Sequence, residues 1–161
     1  MKRKFGVMGM VLMFIMLIVG CATSSGTSSA TITAKAYLDR GMKYAQEGDA
    51  DKALANFNEA IKLEPDNDTA YFYRGNIYNM RNDLENAISD YLKAVALNST
   101  YKAAWYSLGN VYAKKGDYDS AIEAYESALL IVYADSTEND ALNTRIRANK
   151  AAAEKRKAEA Q

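Results

Sequence analysis

Residues 105–128 read WYSLGNVYAKKGDYDSAIEAYESA. Two earlier stretches align with this one without a gap: YFYRGNIYNMRNDLENAISDYLKA at 71–94 and YLDRGMKYAQEGDADKALANFNEA at 37–60. The interval is 34 residues each time, and six columns share it: Tyr37/Tyr71/Trp105, Gly41/Gly75/Gly109, Tyr44/Tyr78/Tyr112, Ala53/Ala87/Ala121, Phe57/Tyr91/Tyr125 and Ala60/Ala94/Ala128. Glycine makes up about 7% of average sequence, so two further matches to one glycine arise by chance about once in 200 trials. Six columns in one register are an internal repeat, and a repeat of this period fixes the fold before any single motif is read.

The pattern resembles the tetratricopeptide repeat (TPR), with three units at 34–67, 68–101 and 102–135. That resemblance implies an all-α helix–turn–helix solenoid. Helix A and helix B of each unit are expected near 35–47 and 51–63, 69–81 and 85–97, and 103–115 and 119–132. The small residues let the paired helices approach closely, and the aromatic residues fill the space between them. The A–B turns are Gly48-Asp49, Asn82-Asp83 and Gly116-Asp117. Gly or Asn suits a left-handed helix end, and the Asp can cap the next helix. Two features depart from the family pattern. The proline after helix B survives only as Pro65, and Arg40 and Arg74 stand before the repeat glycine where Leu108 is the regular residue. Both Arg are expected to pack their stems and hold their charges in water.

A final helix is expected from 136 to 161. Asp135 to Glu138 has capping-box spacing, and Leu142 and Ile146 can cover helix B of the third unit. From Arg145 onward there are six basic and two acidic residues, read as a solvated helical end whose cations suit the helix dipole.

By family analogy the A helices line a concave groove. The groove positions are Lys35, Leu38, Met42 and Gln46, then Phe72, Asn76 and Asn79, then Tyr106, Asn110 and Lys114. An amide can pair with both N–H and C=O of an extended peptide while a neighbouring aromatic ring covers an apolar side chain. Some TPR co-chaperones clamp a C-terminal carboxylate with Lys, Asn and Arg. Leu38, Met42 and Ser107 occupy three of those sites, so this clamp is missing.

The chain opens differently. Lys2, Arg3 and Lys4 precede an uncharged apolar run from Phe5 to Val19, which ends in Ile18-Val19-Gly20-Cys21. This resembles the signal peptide and lipobox of bacterial lipoproteins, implying cleavage before Cys21, acylation of Cys21 and an acyl-chain membrane anchor. Residues 21–33, rich in Ser and Thr and without charge, are expected to be a flexible tether. Ala22 after the cysteine favours an outer membrane if the envelope has two.

Composition narrows the chemistry further. The 161 residues hold 20 basic and 20 acidic side chains, no His and one Cys. Removing residues 1–20 takes away three basic residues and leaves a net −3. No general-base His, thiolate-rich metal site, disulfide framework or phosphate-seeking excess of cations is available. Glu59 and Asp90 are the carboxylates that could be imagined in acid/base roles, but both fall on helix B positions where charge is normally solvated. The expected molecule is a lipid-anchored scaffold of the cell envelope, without catalytic residues, cofactor or metal, that binds a protein or peptide and no nucleic acid. The alternative is a structural subunit that oligomerises with copies of itself or with a larger solenoid.

Overall fold

The structure, a computed structural model, describes residues 26–131 and 137–160. Its seven helices are α1 (Gly26–Gln46), α2 (Ala50–Leu63), α3 (Asp68–Met80), α4 (Leu84–Leu97), α5 (Lys102–Lys115), α6 (Tyr118–Leu130) and α7 (Thr137–Glu159). They form three antiparallel pairs, α1/α2, α3/α4 and α5/α6, followed by α7. From α2 through α6 every boundary lies within two residues of the expected one. The exception is the start of α1. It begins at Gly26, so residues 26–33 of the expected tether are helical. Once Ala34 and Gly41 pack against their neighbours, each further turn toward the N-terminus adds backbone hydrogen bonds without a new nucleation cost. Residues 1–25, including Cys21, lie outside the described residues, as does the Asp135 end of the expected capping box.

The turns use the chemistry read from the sequence. Gly48, Asn82 and Gly116 have φ of 80°, 61° and 89°. Each following Asp accepts a hydrogen bond from a backbone N–H in the first turn of the next helix: Asp49 from Lys52, Asp83 from Asn86 and Asp117 from Ser120. This satisfies one donor that a helix start would otherwise leave unpaired.

Within each pair, glycine on the A helix faces a ring 16 residues later on the B helix. A Cβ on Gly41 would stand 2.5 Å from the Phe57 ring, one on Gly75 2.9 Å from Tyr91, and one on Gly109 2.5 Å from Tyr125. Among the described residues, Phe57, Tyr91 and Tyr125 are also the three largest fully buried side chains. The repeat glycines are therefore absent volume into which the three rings fit.

Between units, buried residues of one B helix meet the next A helix. Ala87 and Tyr91 pack with Leu108 and Val111, and Ala94 and Val95 pack with Ala104. Charge marks the same register. The first-turn carboxylates Asp51, Glu85 and Asp119, themselves 34 residues apart, pair with Arg81 just past the end of α3, Lys115 of α5 and Lys157 of α7. These pairs are exposed and contribute little stability, but they disfavour sliding of one unit on the next.

Helix α7 takes the place of a fourth A helix. Ile146 and Ala153 are buried against Ala121, Tyr125 and Ala128, with Leu142 half-buried beside them. This is the capping contact expected from Leu142 and Ile146. The basic end is not simply solvated: Lys150 bridges Glu126 and Glu154, and Lys157 reaches Asp119. The helix is thus laced to α6 along its length. Among the described residues, no helix is long and apolar enough to cross a membrane.

Replacing Gly109 with Ala should lower stability by about 1–2 kcal/mol in urea unfolding followed by circular dichroism. The overpacking penalty against Tyr125 outweighs the ~1 kcal/mol by which Ala is the better helix former. A variant more stable than the wild type would show that the ring has room to retreat.

Candidate functional site

The curvature follows from which helices touch. Helices α1, α3, α5 and α7 contact one another in succession, whereas α2, α4 and α6 make no contact with each other. The stack is closer-packed on the A side, so the A helices line its concave face. That is the face to which the repeat pattern assigns the groove residues.

Those residues divide into three kinds. Leu38 and Met42 pack against the cluster of Ala53, Phe57 and Ile77, and Phe72 lies against Tyr73, Tyr91 and Tyr101 with ring centroids 5.4, 5.9 and 4.9 Å away. All three are half-buried and belong mainly to the core. Lys35, Gln46 and Lys114 are exposed. Asn76, Asn79, Tyr106 and Asn110 form a polar seam between the two.

In this seam the B-helix rings reach through to the concave side. The Tyr91 hydroxyl donates to Asn76 Oδ1 at 2.7 Å, and the Tyr125 hydroxyl donates to Asn110 Oδ1 at 2.9 Å. Asn79 and Ser107 also approach the Tyr91 hydroxyl, which therefore sits between α3 and α5. At the next junction Asn149 of α7 donates to Asn110 Oδ1 at 2.8 Å and to the Tyr106 hydroxyl at 3.2 Å. The Asn110 carbonyl oxygen thus has both lone pairs engaged and the Asn76 oxygen one, and the two NH2 groups are the donors left for a partner. An amide pairing with a peptide through both N–H and C=O, as the sequence suggests, can use the second lone pair of Asn76 Oδ1, but at Asn110 it would have to displace Tyr125 or Asn149.

The sequence carried a signal for this arrangement. Where the B-helix ring has no hydroxyl (Phe57), the matching A-helix residue is Met42; where it is Tyr91 or Tyr125, the match is Asn76 or Asn110. Each phenol, once buried, requires a partner. Burial raises the Tyr125 pKa from 10.0 to about 12, helped by Tyr106 and opposed by the Asn149 hydrogen bond. Tyr91 is pushed in the same direction, again chiefly by burial.

Two expectations about charge are corrected. Asp90 is not a solvated carboxylate on the outside of helix B: it is 4% exposed. Arg74 does not hold its charge in water either. Its Nε and Nη2 donate to the two Asp90 oxygens at 2.8 and 2.6 Å, and Nη1 donates to Asn58 Oδ1 at 2.7 Å. The guanidinium also faces the Tyr71 and Tyr78 rings, and the Asp90 hydrogen bonds raise the Arg74 pKa above its ordinary value. Sequence spacing could not assign this pair, because the equivalent positions are Arg40 and Asn56 in the first unit and Leu108 and Ala124 in the third. Arg40 remains exposed. Lys102 is buried as well, donating to the Ile131 carbonyl at 2.7 Å. Burial lowers its pKa, and Arg147 adds to the shift.

No group of His, Cys, Asp and Glu suited to a metal occurs among the described residues. Glu59 is half-buried and forms an ion pair with the exposed Lys62.

Comparison with known proteins agrees with this geometry. The TPR repeat pattern matches residues 41–80 and 75–116, and the tetratricopeptide repeat pattern matches residues 103–131. The chain belongs to the tetratricopeptide repeat proteins. Similar solved structures include the TPR2B-domain:pHsp70 complex of yeast Sti1, at 20% identity and a TM-score of 0.70 over 77% of this chain and 98% of that one. The Yersinia enterocolitica type III secretion chaperone SycD, in complex with a peptide of the translocator YopD, is 17% identical with a TM-score of 0.73, covering 78% and 95%. MamA is 26% identical with a TM-score of 0.61, covering 81% and 82%. None of the curated proteins compared matches the chain in sequence.

Two outcomes follow from the buried groups. Asp90→Ala should cost about 2–4 kcal/mol by stranding a largely desolvated guanidinium. Adding Arg74→Leu, which reproduces the Leu108/Ala124 pair of the third unit, should restore most of that loss in the same denaturation assay. Stability should also fall above pH 10. Unfolded tyrosines ionise there, whereas the raised pKa values of Tyr91 and Tyr125 keep the folded phenols protonated, so rising pH favours the unfolded chain. Tyr125 alone should contribute a loss of about 2–3 kcal/mol by pH 12, visible as a shallower alkaline slope in Tyr125→Phe.

Proposed function

We propose that this protein is a membrane-tethered adaptor that holds an extended segment of a partner protein along the concave face of its repeats. The observation that carries the reading is the concave A-helix layer, where exposed Gln46 and Lys114 flank a seam of amides whose NH2 groups remain available. The peptide-bound relatives support it by analogy. SycD carries a translocator peptide and Sti1 TPR2B carries pHsp70 on the same helical scaffold. A chaperone C-terminus is disfavoured as the partner here, since Leu38 and Met42 stand where a carboxylate clamp requires cationic and amide groups.

The tether rests on the Phe5–Cys21 stretch. Acylation of Cys21 would fix the chain to a bilayer of the cell envelope, on the outer membrane where there are two. Confining the groove to a surface raises the effective concentration of any partner there without a new contact. The adaptor needs no catalytic step, cofactor or metal. The second reading, a structural subunit stacking on copies of itself, would use the outer face of α7, where a solenoid could continue.

One experiment separates these readings. Photo-crosslinkers placed in cells at Gln46, Asn79 and Lys114, with Lys62 and Lys93 on B helices as controls, should capture one partner from the concave positions only. Cys21→Ser should leave an uncleaved precursor and reduce that capture. Crosslinks only between copies of the chain would favour the structural subunit. Normal processing of the Cys21 variant would remove the lipoprotein reading.

A further inference from the structure

The concave face is not uniform along its length. Where α5, α6 and α7 meet, they border an open cleft of about 350 Å³. Asn110 and Asn149 lie at its polar side, Tyr118 and Tyr125 line it, and Lys114 and Arg156 stand at its edge. The remaining lining is alanine: Ala113, Ala152 and Ala153. No carboxylate lines it.

Three features give this cleft a charge preference. Lys114 and Arg156 are both exposed, and neither forms an ion pair among the described residues, although Lys115, Lys150, Lys155 and Lys157 all do. The Asn110 carbonyl is saturated by Tyr125 and Asn149, which leaves its NH2 as the group it can offer. The alanine walls supply no competing acceptor. The two cations come from different helices, α5 and α7, so their convergence is a product of the fold and not of a local basic run.

We propose that this cleft is an anion subsite that receives a Glu or Asp side chain of the partner's extended segment. It rests on the adaptor reading above and specifies the partner's chemistry at the α7 end of the groove: an acidic residue there. A carboxylate in the cleft would accept from Lys114, Arg156 and the Asn110 amide, and charge-assisted bonds of this kind are the stronger ones. Helix α7 then has a second role. Besides covering the last B helix, it contributes one of the two cations, so the subsite exists only while α7 is docked.

The test uses the full chain in detergent and two dye-labelled peptides, one with glutamate at alternate positions and its glutamine twin, read by fluorescence anisotropy. The Glu peptide should bind and the Gln twin should bind at least about tenfold more weakly. Lys114→Glu with Arg156→Glu should weaken the Glu peptide by about tenfold or more, the scale expected when two favourable charge contacts are reversed. Lys114→Arg should retain binding. Lys62→Glu with Lys93→Glu, the same change of net charge on the B helices, should leave it unaltered.

Failure of the Glu peptide to bind, equal binding of both peptides, or an equal loss in the B-helix control would overturn the subsite. So would displacement of the peptide by inorganic phosphate alone at the peptide's own concentration, which would show a site for free anions. If the subsite fails while crosslinks from Gln46 and Asn79 persist, the adaptor reading stands without it. If those crosslinks are absent as well, the adaptor reading itself is lost.

Discussion

Three contacts of one kind hold this fold: a glycine on helix A against a ring on helix B, at Gly41–Phe57, Gly75–Tyr91 and Gly109–Tyr125. The glycine supplies a space that no other residue leaves, and the ring fills it completely enough to be fully buried. Close approach of the two backbones is what lets the flanking alanines, Ala53 and Ala60 with their repeats, sit at zero exposure. Larger residues at these columns would separate the helices, and each unit would lose the flat apolar surface on which the next one stacks.

The same rings connect stability to recognition. Phe57 ends inside the core, but Tyr91 and Tyr125 extend past it and present a hydroxyl at the junctions between A helices. Each hydroxyl is held by an asparagine, and those asparagines form the polar seam of the concave face. A residue that packs the core therefore also fixes which hydrogen-bonding groups the groove displays. Any partner meets amide donors whose orientation is set by a buried phenol, so the ordering cost of the seam is met on folding and not on binding.

Charge is arranged at two depths. On the surface, Asp51, Glu85 and Asp119 pair with the next helix along and mark register at little energetic consequence. Inside the second unit, Arg74 and Asp90 replace the Leu108/Ala124 packing of the third with a bidentate ion pair that must remain complete to be tolerated. Helix α7 combines both devices. Ile146 and Ala153 bury an apolar face, and Lys150 and Lys157 anchor its polar one. Its Asn149 closes the last hydroxyl junction, leaving Lys114 and Arg156 together at the end of the groove.

The sequence alone determined the repeat, the helix boundaries from α2 through α6, the left-handed turn residues with their Asp caps, and the capping contact of Leu142 and Ile146. All of these depend on residues close in sequence or on a column that recurs every 34 positions, and such signals need no coordinates. Tertiary structure decided that Asp90 is buried with Arg74, that Asn76 and Asn110 give their carbonyls to tyrosines, that Leu38, Met42 and Phe72 serve the core, and that Arg156 meets Lys114. The physical reason is the same in each case. A periodic pattern states which face of a helix is apolar, but whether a polar side chain on the border of that face reaches water or a partner depends on how closely the neighbouring helix approaches.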